Sequence, residues 1–254
     1  MSNIVITGAN QGIGYFLVEQ LLKDGNRVAV LDLETENLEK LKREHGNNLL
    51  YYVVDVRNHN GLRNAVQAAA AEFGSIDIAV HNACKCTFDA EVNTDLHTYR
   101  DVFEVNYFGA LCLAKSVLPY MVKQKNGRII FTSSGVGVTG FANISPYAST
   151  KGALEALAKC LKIEYAKDNI SFHIFHPPLT RTRSSAPLPV PKEFMAAPEK
   201  VGQGLAKHIH SKRFIICHSL WQKIQTLGCY LFPIKMGSLL SKMTSRAENQ
   251  AGNK

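Results

Sequence analysis

A chain of 254 residues, 46% hydrophobic and 20% charged, carries enough apolar side chains for one sizeable core and is too apolar to stay disordered. The net charge of +8 argues against a nucleic-acid-binding core, because eight Lys/Arg against one acid between residues 207 and 254 supply +7 of it. The start, MSNIVITGAN, runs straight into a strand-like segment, so no secretory signal, a cytoplasmic location and free thiols at all six cysteines are expected.

The first predicted strand, residues 3–7, leads into TGANQGIG and a predicted helix over 12–24. Gly8, Gly12 and Gly14 suit a sharp turn that lets the backbone approach a pyrophosphate, with free helix N–H groups to bind its charge. Asn10, Gln11 and Ile13 fill the rest of that turn. The second strand, 27–32, ends on Asp32, placed to accept hydrogen bonds from an adenosine ribose and to repel a 2′-phosphate. Together with the neutral Gln11 this favours NAD(H), with NADP(H) possible. A third strand, 49–55, ends on Asp55 next to Val56, which could face the adenine.

Strands at 76–80, 128–133 and 170–175 follow, separated from one another and from their predecessors by helices near 36–44, 58–73, 95–125 (two joined helices) and 147–167. The alternation predicts a doubly wound parallel α/β sheet of about seven strands, a single domain over 1–217. Between residues 177 and 191 five prolines mark a long loop, after which a helix over 198–211 and a last strand over 213–217 are expected. The tail, 218–254, carries Leu220, Ile224, Leu227 and Leu231 as a helical stripe ended by Pro233. Only eleven uncharged residues separate Lys223 from Lys235, too few for a membrane span. The stripe then either packs on the domain or a dimer interface, or meets anionic lipid.

Tyr147 and Lys151 are spaced to share one helix face, with Ser145 as N-cap and Pro146 at the first helical position. Such a pair arises easily by chance, but Ser134 at the end of a strand and Asn106 inside the long helical stretch complete a set that resembles the short-chain dehydrogenase/reductase family. The resemblance covers residues 3–217: TGANQGIG is similar to that family's TGxxxGIG turn, Asn82 and Ala83 to part of its NNAG segment, and Asn106, Ser134, Tyr147 and Lys151 to its catalytic tetrad.

It implies a nicotinamide-dependent oxidoreductase working on a ketone/secondary-alcohol pair, usually a homodimer or homotetramer. Tyr147 would be the general acid/base, its high intrinsic pKa lowered by Lys151. Lys151 would also hold the cofactor ribose, Ser134 the reacting oxygen, and Asn106 a water in the proton relay. Pro177 and Thr182 would lie against the nicotinamide end.

Three features depart from the pattern. His81 and Cys84 turn NNAG into HNAC, giving a side chain to a position expected near the adenosine. Pro177–Pro178 replaces a usual Pro-Gly and resembles the branch of 3-ketodihydrosphingosine reductases, whose substrates are long-chain. The apolar, basic tail is the third. His176 ends a strand on the cofactor side and is a candidate for ligand contact. Cys84 and Cys86 have no second Cys/His pair at zinc spacing, so no metal is expected. The competing readings are a dinucleotide sensor without turnover and a membrane-surface or partner-binding module on the same fold.

Overall fold

The computed structural model describes residues 1–188, 190 and 192–251. Pro189 and Pro191 of the proline-rich loop, and the last three residues of the tail, lie outside the described residues. Seven strands form one parallel sheet in the order β3-β2-β1-β4-β5-β6-β7. They are β1 (Asn3–Thr7), β2 (Arg27–Asp32), β3 (Leu49–Val53), β4 (Ile78–His81), β5 (Gly127–Thr132), β6 (Ile170–Phe175) and β7 (Ile215–Ile216). The doubly wound fold expected from the alternation is the one that forms.

Each strand is apolar on both faces because helices cover both. Val5, Ile129, Phe131, Phe172 and Ile174 face one layer, formed by α3 (His59–Phe73), α5 (Gly109–Gln124) and α7 (Ser145–Glu164). Their neighbours Ile4, Ile6, Ile130 and Phe175 face the other, formed by α1 (Gly12–Lys23), α2 (Leu38–His45) and α8 (Pro198–Lys207). Phe131, Phe172 and Phe175 are fully buried, each worth about 1.5–3 kcal/mol in area removed from water.

Several boundaries move. Val54 and Asp55 fall beyond β3, and β7 keeps only two of the five residues predicted for it. The stretch 95–125 is indeed two joined helices, α4 (Leu96–Phe103) and α5, but the joint is a π-helical turn over Glu104–Phe108 that contains Asn106. By length and composition Leu96–Gln124 could cross a membrane; here it is a core helix, with more than half of that apolar stretch buried. Ser145 is the first residue of α7 rather than its cap, Ile144 standing before it, and its hydroxyl instead donates to Glu91 at 2.6 Å. A four-residue helix, α6 (Val136–Thr139), was not foreseen.

The tail forms two helices. Pro233 ends α9 (Leu220–Leu231) and also starts α10 (Pro233–Ala251), since a proline lacks only an N–H that a first helical turn leaves unpaired anyway. Packing of the predicted stripe onto the domain does not occur. Leu220, Trp221, Ile224, Leu227 and Leu231 are 55–74% exposed, whereas Gln222 and Thr226 are buried and Cys229 lies against Gly135. α9 and α10 dock on α6, with Gly237 against the carbonyls of Thr139 and Gly140.

Two glycines carry opposite consequences. A Cβ on Gly14 would lie 2.4 Å from the Gly8 carbonyl oxygen and 2.7 Å from Ala9 Cα, both backbone atoms, whereas one on Gly228 inside α9 would meet nothing within 4 Å. Gly14→Ala is expected to lose about 1–3 kcal/mol by overpacking, and Gly228→Ala to gain up to about 1 kcal/mol from helix propensity. Thermal denaturation of the two variants checks the opposite signs.

Candidate active site

The order of the sheet reverses between β1 and β4, the place at the carboxyl ends of the strands where an open α/β sheet receives its ligand. Gly8 and Gly12 adopt φ of +69° and +62°, which side chains resist. A Cβ on Gly8 would strike Ala83 Cα at 2.4 Å, and one on Gly12 would press on the Thr182 methyl at 3.2 Å. α1 has no side-chain cap, so its first N–H groups remain available to an anion. Gln11 is exposed, Ile13 half-buried and Asn10 buried. The Asn10 N–H donates to Asp32 Oδ2 at 2.8 Å, tying the glycine turn to the acid at the end of β2. A backbone cradle with a carboxylate at this distance fits the diphosphate and ribose of a dinucleotide.

Asp55 is held by Arg57, whose guanidinium donates to both carboxylate oxygens at 2.7–3.1 Å and holds the acid below its usual range. Val56 is buried, packed close to Gly109. Pro177 follows β6, half-buried, and the Thr182 N–H donates to Ser185 Oγ at 3.0 Å.

A hydrogen-bonded path joins the glycine turn to the catalytic-type residues. Asn82 Nδ2 donates to the Gly8 carbonyl at 2.6 Å, Thr132 Oγ1 donates to Asn82 Oδ1 at 3.3 Å, and Lys151 Nζ donates to the Thr132 carbonyl at 2.7 Å. The N–H groups of Asn82 and Ala83 both donate to Thr7 Oγ1 at 3.3 Å. Lys151 is buried, its ammonium 5.4 Å from the centre of the Tyr147 ring. Ser134 lies beside the Tyr147 hydroxyl.

Three expectations need correcting here. The Tyr147 hydroxyl is pushed well above its ordinary value, first by burial and then by the neighbouring Cys84 and Cys86; contact with Ser134 pulls weakly the other way. Burial and the two thiols outweigh whatever Lys151, whose ammonium donates to the Thr132 carbonyl, contributes in the other direction. Cys84, expected near the adenosine, reaches the Tyr147 hydroxyl instead. His176 is fully buried and bonded to Glu155 at 2.7 Å, leaving no face for a ligand.

Asn106 is also fully buried. Its Oδ1 accepts from the Lys85 N–H at 2.7 Å, and its Nδ2 donates to the Lys85 carbonyl and to Thr150 Oγ1, both at 3.0 Å. Both side-chain donors are thus spent on protein, and what remains for a water is an oxygen acceptor. Among the described residues no cluster of three or more His, Cys, Asp or Glu is suited to a metal ion.

Glu155, unremarked in the sequence, is the hub of a buried network. Its carboxylate accepts from His176, Ser133 Oγ at 3.1 Å and the Tyr230 hydroxyl of α9. Burial works to raise the acid, and these bonds outweigh it and hold it below its ordinary value. The same carboxylate, with burial acting first, drives the Tyr230 hydroxyl far up. The available signal was spacing: Tyr147, Lys151 and Glu155 recur every four residues on one helical face, and an acid on that face needs partners.

The family model described as short chain dehydrogenase matches residues 2–191. The chain is 28% identical to a fatty acyl-CoA reductase of Acinetobacter baylyi over 92% of its own length and 86% of that protein's. It is 32% identical to a 2-(R)-hydroxypropyl-CoM dehydrogenase of Xanthobacter autotrophicus, covering 72% of this chain and 78% of that one. Among solved structures, a gluconate 5-dehydrogenase from Burkholderia cenocepacia in complex with NADP and tartrate superposes with a TM-score of 0.74 at 25% identity, over 82% of this chain and 87% of that one. The chain belongs to the short-chain dehydrogenase/reductase family, oxidoreductases that use a nicotinamide cofactor and act on CH–OH groups.

Proposed function

We propose that residues 1–217 bind a nicotinamide dinucleotide with NAD(H) preferred and reduce a ketone to a secondary alcohol through Tyr147. The observation that carries this reading is the bonded path from Gly8 through Asn82 and Thr132 to Lys151. It ties a cradle suited to a diphosphate to a buried ammonium beside a tyrosine.

In this reading Gly8, Asn10, Gln11, Gly12, Ile13 and Gly14 receive the diphosphate and Asp32 the ribose hydroxyls. Asp55 and Val56 flank the adenine, and Asn82 and Ala83 form the floor of the site. Lys151 holds the second ribose, while Pro177 and Thr182 border the nicotinamide. The cofactor, when bound, supplies or accepts the hydride. Ser134 hydrogen-bonds the reacting oxygen, Tyr147 gives that oxygen its proton, and Asn106 positions the Lys85 segment beside them. A phenol held protonated by burial is an acid at neutral pH, which suits reduction.

The substrate we favour is long-chain, for which the fatty acyl-CoA reductase relative and the Pro177–Pro178 loop both speak. Residues 218–254 would bring the protein to an anionic lipid surface, the enzyme being cytoplasmic and peripheral. Support comes from the outward apolar face of α9, continued by Ile234 and Leu239 of α10, with Lys223, Lys235 and Lys242 exposed among them. A homodimer or homotetramer over the outer helices remains part of the proposal.

Tyr147→Phe keeps the ring and removes the proton donor, so turnover is expected to fall roughly 10²- to 10⁴-fold with cofactor binding intact. A variant keeping more than about a tenth of the activity takes Tyr147 out of the chemistry. In the wild type, reduction should hold level across neutral pH, while oxidation should climb only on the alkaline side, where a phenol raised above its ordinary value begins to ionise. The opposite pattern in initial rates would assign the acid/base to another group.

Asp32→Ala is expected to raise the KM for NADH and lower that for NADPH by removing a charge that repels a 2′-phosphate. Steady-state kinetics with both cofactors decides, and a wild type already favouring NADPH in kcat/KM overturns the preference.

For the tail, truncation is a poor test because it also strips Tyr230 from Glu155. Replacing the exposed Trp221, Ile224 and Leu227 together by Gln leaves that bond in place. Wild-type protein should sediment with anionic vesicles at low salt and release at high salt, the triple variant staying in solution. No sedimentation of wild type at low salt defeats the proposal.

A further inference from the structure

The segment Cys84–Lys85–Cys86 brings two thiols together inside the site. Their sulfurs lie 3.5 Å apart, both are half-buried, and both lie close enough to Tyr147 for its hydroxyl to act on them, with the Lys151 ammonium near enough to favour a thiolate. Lys85, the residue between them, is gripped by Asn106 through both of its backbone groups, at 2.7 and 3.0 Å. Neither sulfur has a part in the chemistry above, and the other four cysteines lie outside this segment.

We propose that Cys84 and Cys86 form a modification site for peroxides, closing into a disulfide that turns the active site off. The shut-off, though not the disulfide itself, rests on the catalytic reading of Tyr147.

The pair is suited to the chemistry because it shares one proton. Cys84 is held below its ordinary value, first by the hydrogen bond that Cys86 donates to it and further by Lys151, while Cys86 is driven up and keeps its proton. The Cys84 thiolate attacks a peroxide oxygen; the O–O bond breaks, a sulfenic acid forms, and hydroxide (or alkoxide) leaves and takes up from solvent the proton that the Cys84 thiol had released. Cys86 then attacks the sulfenic sulfur. An S–S bond forms, the S–O bond breaks, and the departing oxygen leaves as water with the Cys86 proton. Two thiols lose two electrons, and hydrogen peroxide is reduced to two waters.

Closure must shorten a 3.5 Å gap to about 2.05 Å. The only covalent link between the two residues runs through Lys85, so closure pulls against the grip of Asn106 and draws sulfur away from Tyr147. Misplacing groups at this distance from the reacting atoms is expected to lower turnover roughly 10- to 100-fold.

The test treats the full chain with hydrogen peroxide, then maps peptides by mass and assays turnover before and after dithiothreitol. The expected result is a loss of two hydrogens confined to the peptide holding Cys84 and Cys86, with activity falling in step and returning on reduction. Cys84→Ser and Cys86→Ser, each compared with its own reduced form, should both lose the cross-link, and Cys84→Ser the reversible inactivation with it. Peroxide-treated wild type without that cross-link overturns the site, whatever the variants do. A cross-link with unchanged turnover overturns the shut-off. A protein that cross-links reversibly but never turns over a ketone or alcohol keeps the dithiol site and defeats the catalytic reading instead.

Discussion

Asn82 is the stitch on which the site depends. Its side chain accepts from Thr132 at the end of β5 and donates to Gly8 just after β1, so one amide spans the two halves of the sheet where their order reverses. Thr7 supports it from below by accepting from the N–H groups of Asn82 and Ala83. Asn82 is half-buried, and an amide left with an unmet donor or acceptor there would cost up to about 1–3 kcal/mol. The bonds therefore hold the glycine turn and the Thr132 carbonyl in one fixed relation, and that carbonyl in turn aims Lys151.

From Lys151 the constraint runs along α7. Ser133 Oγ donates to the Lys151 carbonyl or to Glu155, and Glu155 ties His176 at the end of β6 and Tyr230 in the tail to the same helix. A buried carboxylate is costly unless its oxygens are met, and three donors from three elements meet them here. This explains the orientation of α9. Tyr230 must turn inward to reach Glu155, and with it go Gln222, Thr226 and Cys229, which leaves the leucines facing out. The tail is docked by its polar side, the reverse of an amphipathic helix seated by its apolar stripe.

That inversion marks where sequence reading stops. The strands were legible because a sheet covered on both faces needs near-continuous apolar runs, and the glycine turn because positive φ at Gly8 and Gly12 and the close approach of Ala83 to Gly8 favour glycine there. Tyr147 and Lys151 were legible as neighbours by helical spacing. What was not legible depends on contacts between residues far apart in the chain. The partners of Glu155 lie between 21 and 75 residues from it. The π turn at Asn106 answers to the backbone of Lys85, 21 residues earlier, and not to local propensity. Hydrophobic periodicity found the stripe of α9 but carries no sign, since it cannot say which side of a helix a buried acid elsewhere will claim.

The same distinction governs the acid/base. Sequence placed a lysine one turn from a tyrosine and so implied a lowered phenol, yet burial acts on Tyr147 in the opposite sense and prevails. The thiols of Cys84 and Cys86 push it further the same way, because negative charge on sulfur opposes a second negative charge on the phenol. A site with this balance holds its proton until a developing oxyanion draws it off. Deprotonating the phenol ahead of substrate would require added positive charge beside it, which an oxidised nicotinamide ring supplies and a reduced one does not. On the role proposed for Tyr147, reduction begins from the protonation state in which the protein already rests.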